Sequence, residues 1–189
     1  MLKDFKPVLS ILLRFIIMYV VLLLMYQYYL NVFRHEGLDP FSRFIAEQVR
    51  SIQNYLGYPT QLYDDVRGQQ VYFYVRNFYP TRMVEGCNAI SIMILFVAFI
   101  FAFYKGLKTF IFMLAGLILL FIMNLFRIVG LNIVMTDYKQ YGKIFHDFVY
   151  WSFYFQNFVD IVDEVAINQV KHYYLDELTD ADKKMFLIK

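Results

Sequence analysis

The sequence predicts an all-α membrane protein: a polytopic helical bundle of about four transmembrane helices, with an extracytoplasmic loop that contains an amphipathic helix and a short β-hairpin. Three observations predict it. Of the 189 residues, 60% are hydrophobic and 21% aromatic, with a mean hydropathy of +0.46, which is far more apolar surface than a water-soluble core of this size needs. The apolar residues gather into runs long enough to cross a hydrocarbon layer about 30 Å thick. A polar segment of mixed charge, 31–86, separates the first run from the second. The formal charge of +2 is small and the basic residues are dispersed, so no nucleic acid is expected as a partner and membrane lipids are.

The whole chain, 1–189, reads as one membrane domain. Its first apolar run, 7–30, follows Lys3 and Lys6. It is too long for a signal peptide and ends in Tyr26-Gln27-Tyr28-Tyr29 without a small-residue cleavage site, so it is expected to stay as an anchor. Arg14 lies near its cytoplasmic end, where a long side chain snorkels to the headgroups. Within 31–86, Asp39-Pro40 followed by Phe41, Phe44, Ile45, Val49, Ile52 and Leu56 has helical spacing. Asp39 is its N-cap, the proline sits in the first turn and Gly57 is the stop. Such an amphipathic helix lies on the membrane or on the bundle. Residues 71–75 and 77–84 read as a hairpin rich in strand formers, and Asp64-Asp65 as turn residues. The second apolar helix covers 88–104 and is closed by Lys105 and Lys108; the third covers 109–134. A fourth, 144–162, is interrupted by Gln156, Asn157 and Asp160, with Asp163 and Glu164 just beyond, and a charged tail fills 163–189.

Lys3, Lys6, Lys105 and Lys108 mark the cytoplasmic side by the positive-inside rule, which puts the long loop outside. Cys87 lies 18 residues before Lys105, and Arg127 lies 19 after Lys108. As helices, both stretches rise about 27–28 Å, which sets the two residues at one level near the outer edge of the hydrocarbon layer. His146, at the outer start of the fourth helix, reaches that level from the other direction.

Cys87 is the only cysteine, so it has no internal disulfide and its meaning comes from burial or from reactivity. A thiol becomes a strong nucleophile as the thiolate, which an imidazole or guanidinium favours. His146 is suited to take the thiol proton and return it to a leaving amine. Arg127 is suited to hold a thiolate or an oxyanion. The three together are what a thiol peptidase or transpeptidase needs, with Asn124 and Asn88 as supporting residues. Plainer readings stand beside this one: Cys87 as a small packed hydrophobe, Arg127 as a headgroup anchor, His146 as an interfacial cap, Asn124 as helix glue. His35 and His172 read as solvated. No glycine loop for phosphate, no histidine pair at metal spacing and no cysteine cluster is present, so no cofactor and no metal is expected. Against the enzyme stands a non-catalytic membrane scaffold or assembly partner that docks through 41–56. A small transporter subunit fits less well, because the ionisable groups gather at one interface instead of the midplane.

At these residues the chain resembles the exosortase/archaeosortase family, most closely the exosortase F type of Bacteroidetes. The resemblance rests on Glu85-Gly86-Cys87-Asn88-Ala89-Ile90, on Asn124-Leu125-Phe126-Arg127-Ile128 and on Phe145-His146-Asp147, in that order, and covers the chain to about residue 158. It implies that Cys87, Arg127 and His146 form a catalytic triad in the cytoplasmic (inner) membrane of a bacterium, facing the periplasm. It also implies exported substrates with a C-terminal sorting signal, made of a short motif, a transmembrane helix and a basic tail. They would be carried as a thioester to an envelope lipid or glycan acceptor. Family members are expected to end in a clearly apolar helix; here the end reads Val159-Asp160-Ile161-Val162-Asp163-Glu164.

Overall fold

The computed structural model describes residues 6–103 and 106–141. The predicted fourth helix over 144–162, the tail 163–189, His146 and Lys105 lie outside the described residues. The described residues are mostly helical, with one small sheet among them.

The first apolar run forms α1, Lys6–Phe33. Its only proline, Pro7, falls in the first turn, where the missing N–H costs nothing. Leu9, Leu13, Ile17, Val20 and Leu24 remain exposed along its length, as does Arg14. This outer surface suits lipid. α1 packs on α3, Ile90–Ala102, with the Phe15 and Phe99 rings edge to face at 6.4 Å. α4, Leu107–Asp137, is 31 residues long and so about 46 Å, well over the ~30 Å of a hydrocarbon layer. It meets α3 at a close approach: a Cβ added to Gly116 would lie 2.3 Å from Phe96 Cζ. Only the absent side chain lets that ring rest on the α4 backbone.

Among the described residues, two helices are long and apolar enough to cross a membrane, within Leu9–Phe33 and Leu107–Asp137. The expected span over 88–104 is shorter than predicted, 13 residues or about 20 Å. The reason is local: Asn88 and Ala89 turn the chain before the apolar run can coil, as described below.

Between α1 and α3 the chain builds a cap on the far end of α4. α2, Pro40–Tyr55, begins as its sequence predicts, with the Asp39 carboxylate accepting the Ser42 N–H at 3.0 Å and satisfying one of the four orphan donors of a helix start. It stops at Leu56, and Gly57 follows at φ +81, a conformation that a Cβ disfavours. The sheet is three-stranded and antiparallel, β1 Thr60–Asp65, β2 Gln70–Val75 and β3 Phe78–Met83, in the order β1-β2-β3. The expected hairpin is therefore β2–β3, and β1 is an addition to it. Arg76 and Asn77 both take positive φ, the geometry a two-residue hairpin loop requires. The register slips between Phe73 and Val75, opposite Pro80, which has no N–H for the ladder. Asp64-Asp65 end β1 instead of forming a turn by themselves. Asp64 pairs with Arg43 at 2.7 Å, and Asp65 accepts from the Gly68 N–H of the following loop.

α2 lies on the chain itself. Ile45, Ala46 and Val49 meet Val71, Phe73, Val75 and Met83 from the sheet, and Ile128 and Val129 from α4, in one buried cluster. Of the two settings expected for this apolar face, membrane or bundle, Ile45, Ala46 and Val49 take the second and are covered from within, while Phe44 and Leu56 stay exposed. Polar pins join the same layers. Asn132 on α4 donates to Gln53 Oε1 on α2 at 3.1 Å and is hydrogen-bonded to the Thr81 hydroxyl on β3. At the end of α4, Asp137 accepts from the Tyr58 hydroxyl at 2.6 Å and pairs with Arg76. The hydrogen bond to Asp137 holds the Tyr58 phenol above its ordinary value, because it favours the protonated form.

Candidate active site

Val84 leaves β3 extended, and the chain then closes one 3-10 turn, Glu85–Cys87, with the Cys87 N–H donating to Val84 O at 2.9 Å. Asn88 Oδ1 accepts the Ile90 N–H at 2.9 Å. Ala89 between them sits at φ 60, ψ 8, in the left-handed region, which costs a residue with a Cβ about 1–2 kcal/mol. The turn and α3 are thus separate elements. Cys87 stands at the end of one and never joins the axis of the other. It is half-buried and packs against the core of the cap.

Asn88 is almost fully buried, and both of its amide hydrogens are used. One Nδ2 hydrogen goes to Tyr26 Oη on α1 at 3.0 Å and the other to Ser42 Oγ on α2 at 2.9 Å. These partners lie 62 and 46 positions away in the chain, and nothing in the local pattern around Tyr26 or Ser42 singles them out. Asn124, wholly buried on α4, donates from Nδ2 to the Cys87 carbonyl at 3.1 Å. Arg127 follows three residues later, half-buried on the same flank of α4. Helical side chains lean toward the helix N-terminus, so a residue in this position covers the turn that holds Asn124.

Counting helical rise from the lysine turn is not what levels Cys87 with α4. The rise of α3 is only about 20 Å, whereas Leu107 to Asn124 rises about 26 Å. The Asn124 side chain does it, by bonding the Cys87 backbone directly. His146, the expected proton carrier, lies outside the described residues. Among the described residues no group of three or more His, Cys, Asp or Glu side chains is arranged to hold a metal ion.

What stands before the first residue of α3 is therefore one thiol on a 3-10 turn, bonded through its carbonyl to the α4 turn just before an arginine. No curated protein and no solved structure matches the chain significantly. The family model for Transmembrane exosortase (Exosortase_EpsH) matches residues 5–159, which takes in Cys87, Arg127 and His146. The chain accordingly belongs to the transmembrane exosortase family and is a membrane protein.

Proposed function

We propose that the protein is a membrane-embedded cysteine protease or transpeptidase of the exosortase F type of Bacteroidetes. It cleaves the C-terminal sorting signals of exported proteins and passes them to an acceptor on an envelope lipid or glycan. It sits in the inner membrane with Cys87 toward the periplasm, in keeping with Lys3, Lys6, Lys105 and Lys108 on the opposite side. The observation that carries the reading is the Asn124 Nδ2 bond to the Cys87 carbonyl, because it ties the only thiol to the helix turn beside Arg127.

In this reading His146 takes the proton from Cys87 Sγ, and the thiolate attacks the carbonyl carbon of the scissile peptide. The oxygen of the tetrahedral intermediate carries the negative charge. Cys87's own N–H is already committed to Val84 O, so the Arg127 guanidinium takes the oxyanion-stabilising role. Collapse breaks the C–N bond, the imidazolium returns its proton to the leaving amine, and the substrate remains as a thioester on Sγ. An amine or hydroxyl of the acceptor, or water, then attacks the thioester. The C–S bond breaks, and the acceptor's proton passes to His146 and on to the thiolate. A substrate helix lying in the bilayer presents its outer end at this level.

The test is the C-terminal mass of envelope proteins in cells with the native chain and with Cys87→Ala. The native chain shortens the C-termini of proteins that carry a terminal helix and basic tail. Cys87→Ala, present in the membrane at equal amount, leaves them full length. Unchanged processing by Cys87→Ala overturns the assignment.

A further inference from the structure

Asn88 does more than cap α3, because its two donors reach two other helices. Tyr26 on α1 and Ser42 on α2 accept from the same Nδ2, while Oδ1 holds the Ile90 N–H. Both amide hydrogens and the amide oxygen are engaged at once, and the residue is 1% exposed. The residue beside it, Ala89, has a strained backbone. Ala89 at φ 60 is a non-glycine residue in the left-handed region, and such residues persist where the surroundings over-determine them. With a right-handed Ala89, the apolar run of α3 would coil back through Asn88 and carry Cys87 onto its own axis, away from the Asn124 contact. Among the described residues, Ser42 makes no other side-chain hydrogen bond through its hydroxyl. Its N–H goes to Asp39, so its hydroxyl is not needed to cap α2.

We propose that Ser42 and Tyr26 are positioning residues for Cys87, acting through Asn88 to hold Ala89 left-handed and the thiol at the α4 contact. The inference rests on the reading of Cys87 as nucleophile. It places the control of the site on the first two helices, which contribute no reacting group.

The probe is the envelope protein whose C-terminus changes when Cys87 is replaced, and the rate of its processing is followed by pulse–chase per amount of membrane-inserted enzyme. Ser42→Ala and Tyr26→Phe each remove one acceptor while keeping the body of the side chain. Each slows processing about fivefold, the scale of one neutral hydrogen bond. Adding Ala89→Gly to Ser42→Ala restores most of the rate, because glycine holds positive φ without the Cβ cost. A residue that only supported folding would give no such recovery. Ser51→Ala, which removes an exposed hydroxyl bonded to Glu47 O on the same helix, processes at the native rate. Native-rate processing by both Ser42→Ala and Tyr26→Phe, or a loss in Ser42→Ala that Ala89→Gly does not recover, overturns the positioning role while Cys87→Ala remains inactive. If Cys87→Ala itself processes normally, the catalytic reading falls and takes this one with it.

Discussion

The two halves of α4 are made of the same kinds of residue and behave differently. From Leu107 to Phe126, side chains such as Phe110, Ile111, Leu114, Ile118 and Ile122 are exposed. Beyond Arg127, Ile128 and Val129 are buried with α2 and the sheet. In the cap, water drives the apolar faces together, at about 25 cal/mol per Å² removed from it. In a bilayer, lipid tails are as apolar as leucine, so helices associate through close approach and polar contacts. The contact of Gly116 with Phe96 belongs to the second regime, and the cluster around Phe73 to the first. Cys87, the proposed nucleophile, packs against the buried cluster of the cap, at the seam between the two regimes.

The contrast is testable by truncation. Phe73→Ala empties the centre of the cap and is expected to cost about 3–5 kcal/mol, read as lost hydrogen-exchange protection across β1, β2 and β3. Leu114→Ala, on the exposed face of α4, is expected to stay within about 0.5 kcal/mol. Equal costs would erase the distinction. Next in size is Gly116→Ala, whose new methyl meets the Phe96 ring; an overpacking cost of about 1–3 kcal/mol is expected, seen as a lower thermal midpoint in detergent. An unchanged midpoint would mean that α3 and α4 do not rely on that approach.

The smallest effect lies in the loop from β1 to β2. There the Gln70 side chain and the Gly68 N–H donate to Asp65 and hold its carboxyl below the usual value. A lowered folded pKa means that the stabilisation is complete above the unfolded value of about 3.9 and disappears as pH falls through the folded one. Protection of the Gly68 amide, corrected for intrinsic exchange, therefore declines below about pH 4. In Asp65→Ala that decline is absent. A decline of equal size in both would assign it to other groups.

Local rules were readable where one residue acts on its neighbours. Asp39, Pro40 and Gly57 delimit α2 because capping and left-handed stops are decided within a turn. The sheet was harder to read. In β2, Val71, Phe73 and Val75 are buried and Tyr72 and Tyr74 face out, an alternation hidden when tyrosine is counted with the apolar residues. The hydroxyls give the difference: Tyr72 accepts from Gln70 and Tyr74 donates to Asn77. Of the proposed site, Cys87, Arg127 and His146 were visible as residue types suited to acyl transfer, and Asn124 as a supporting residue or helix glue. Ser42 and Tyr26 were not, since no local pattern tells a hydroxyl which distant amide it will meet.

By itself, the sequence determined that the chain enters a membrane, that a capped helix and a hairpin fill the long loop, and which side chains are chemically able to act. Those properties follow from composition and from spacing over a few residues. Only the tertiary structure decided that α3 is short, that the apolar face of α2 is spent on the cap, and that Asn124 and Asn88 fix the two sides of the Cys87 turn. Those outcomes depend on which distant polar groups find one another when the helices pack, a pairing that free energy selects in three dimensions and that no stretch of chain encodes alone.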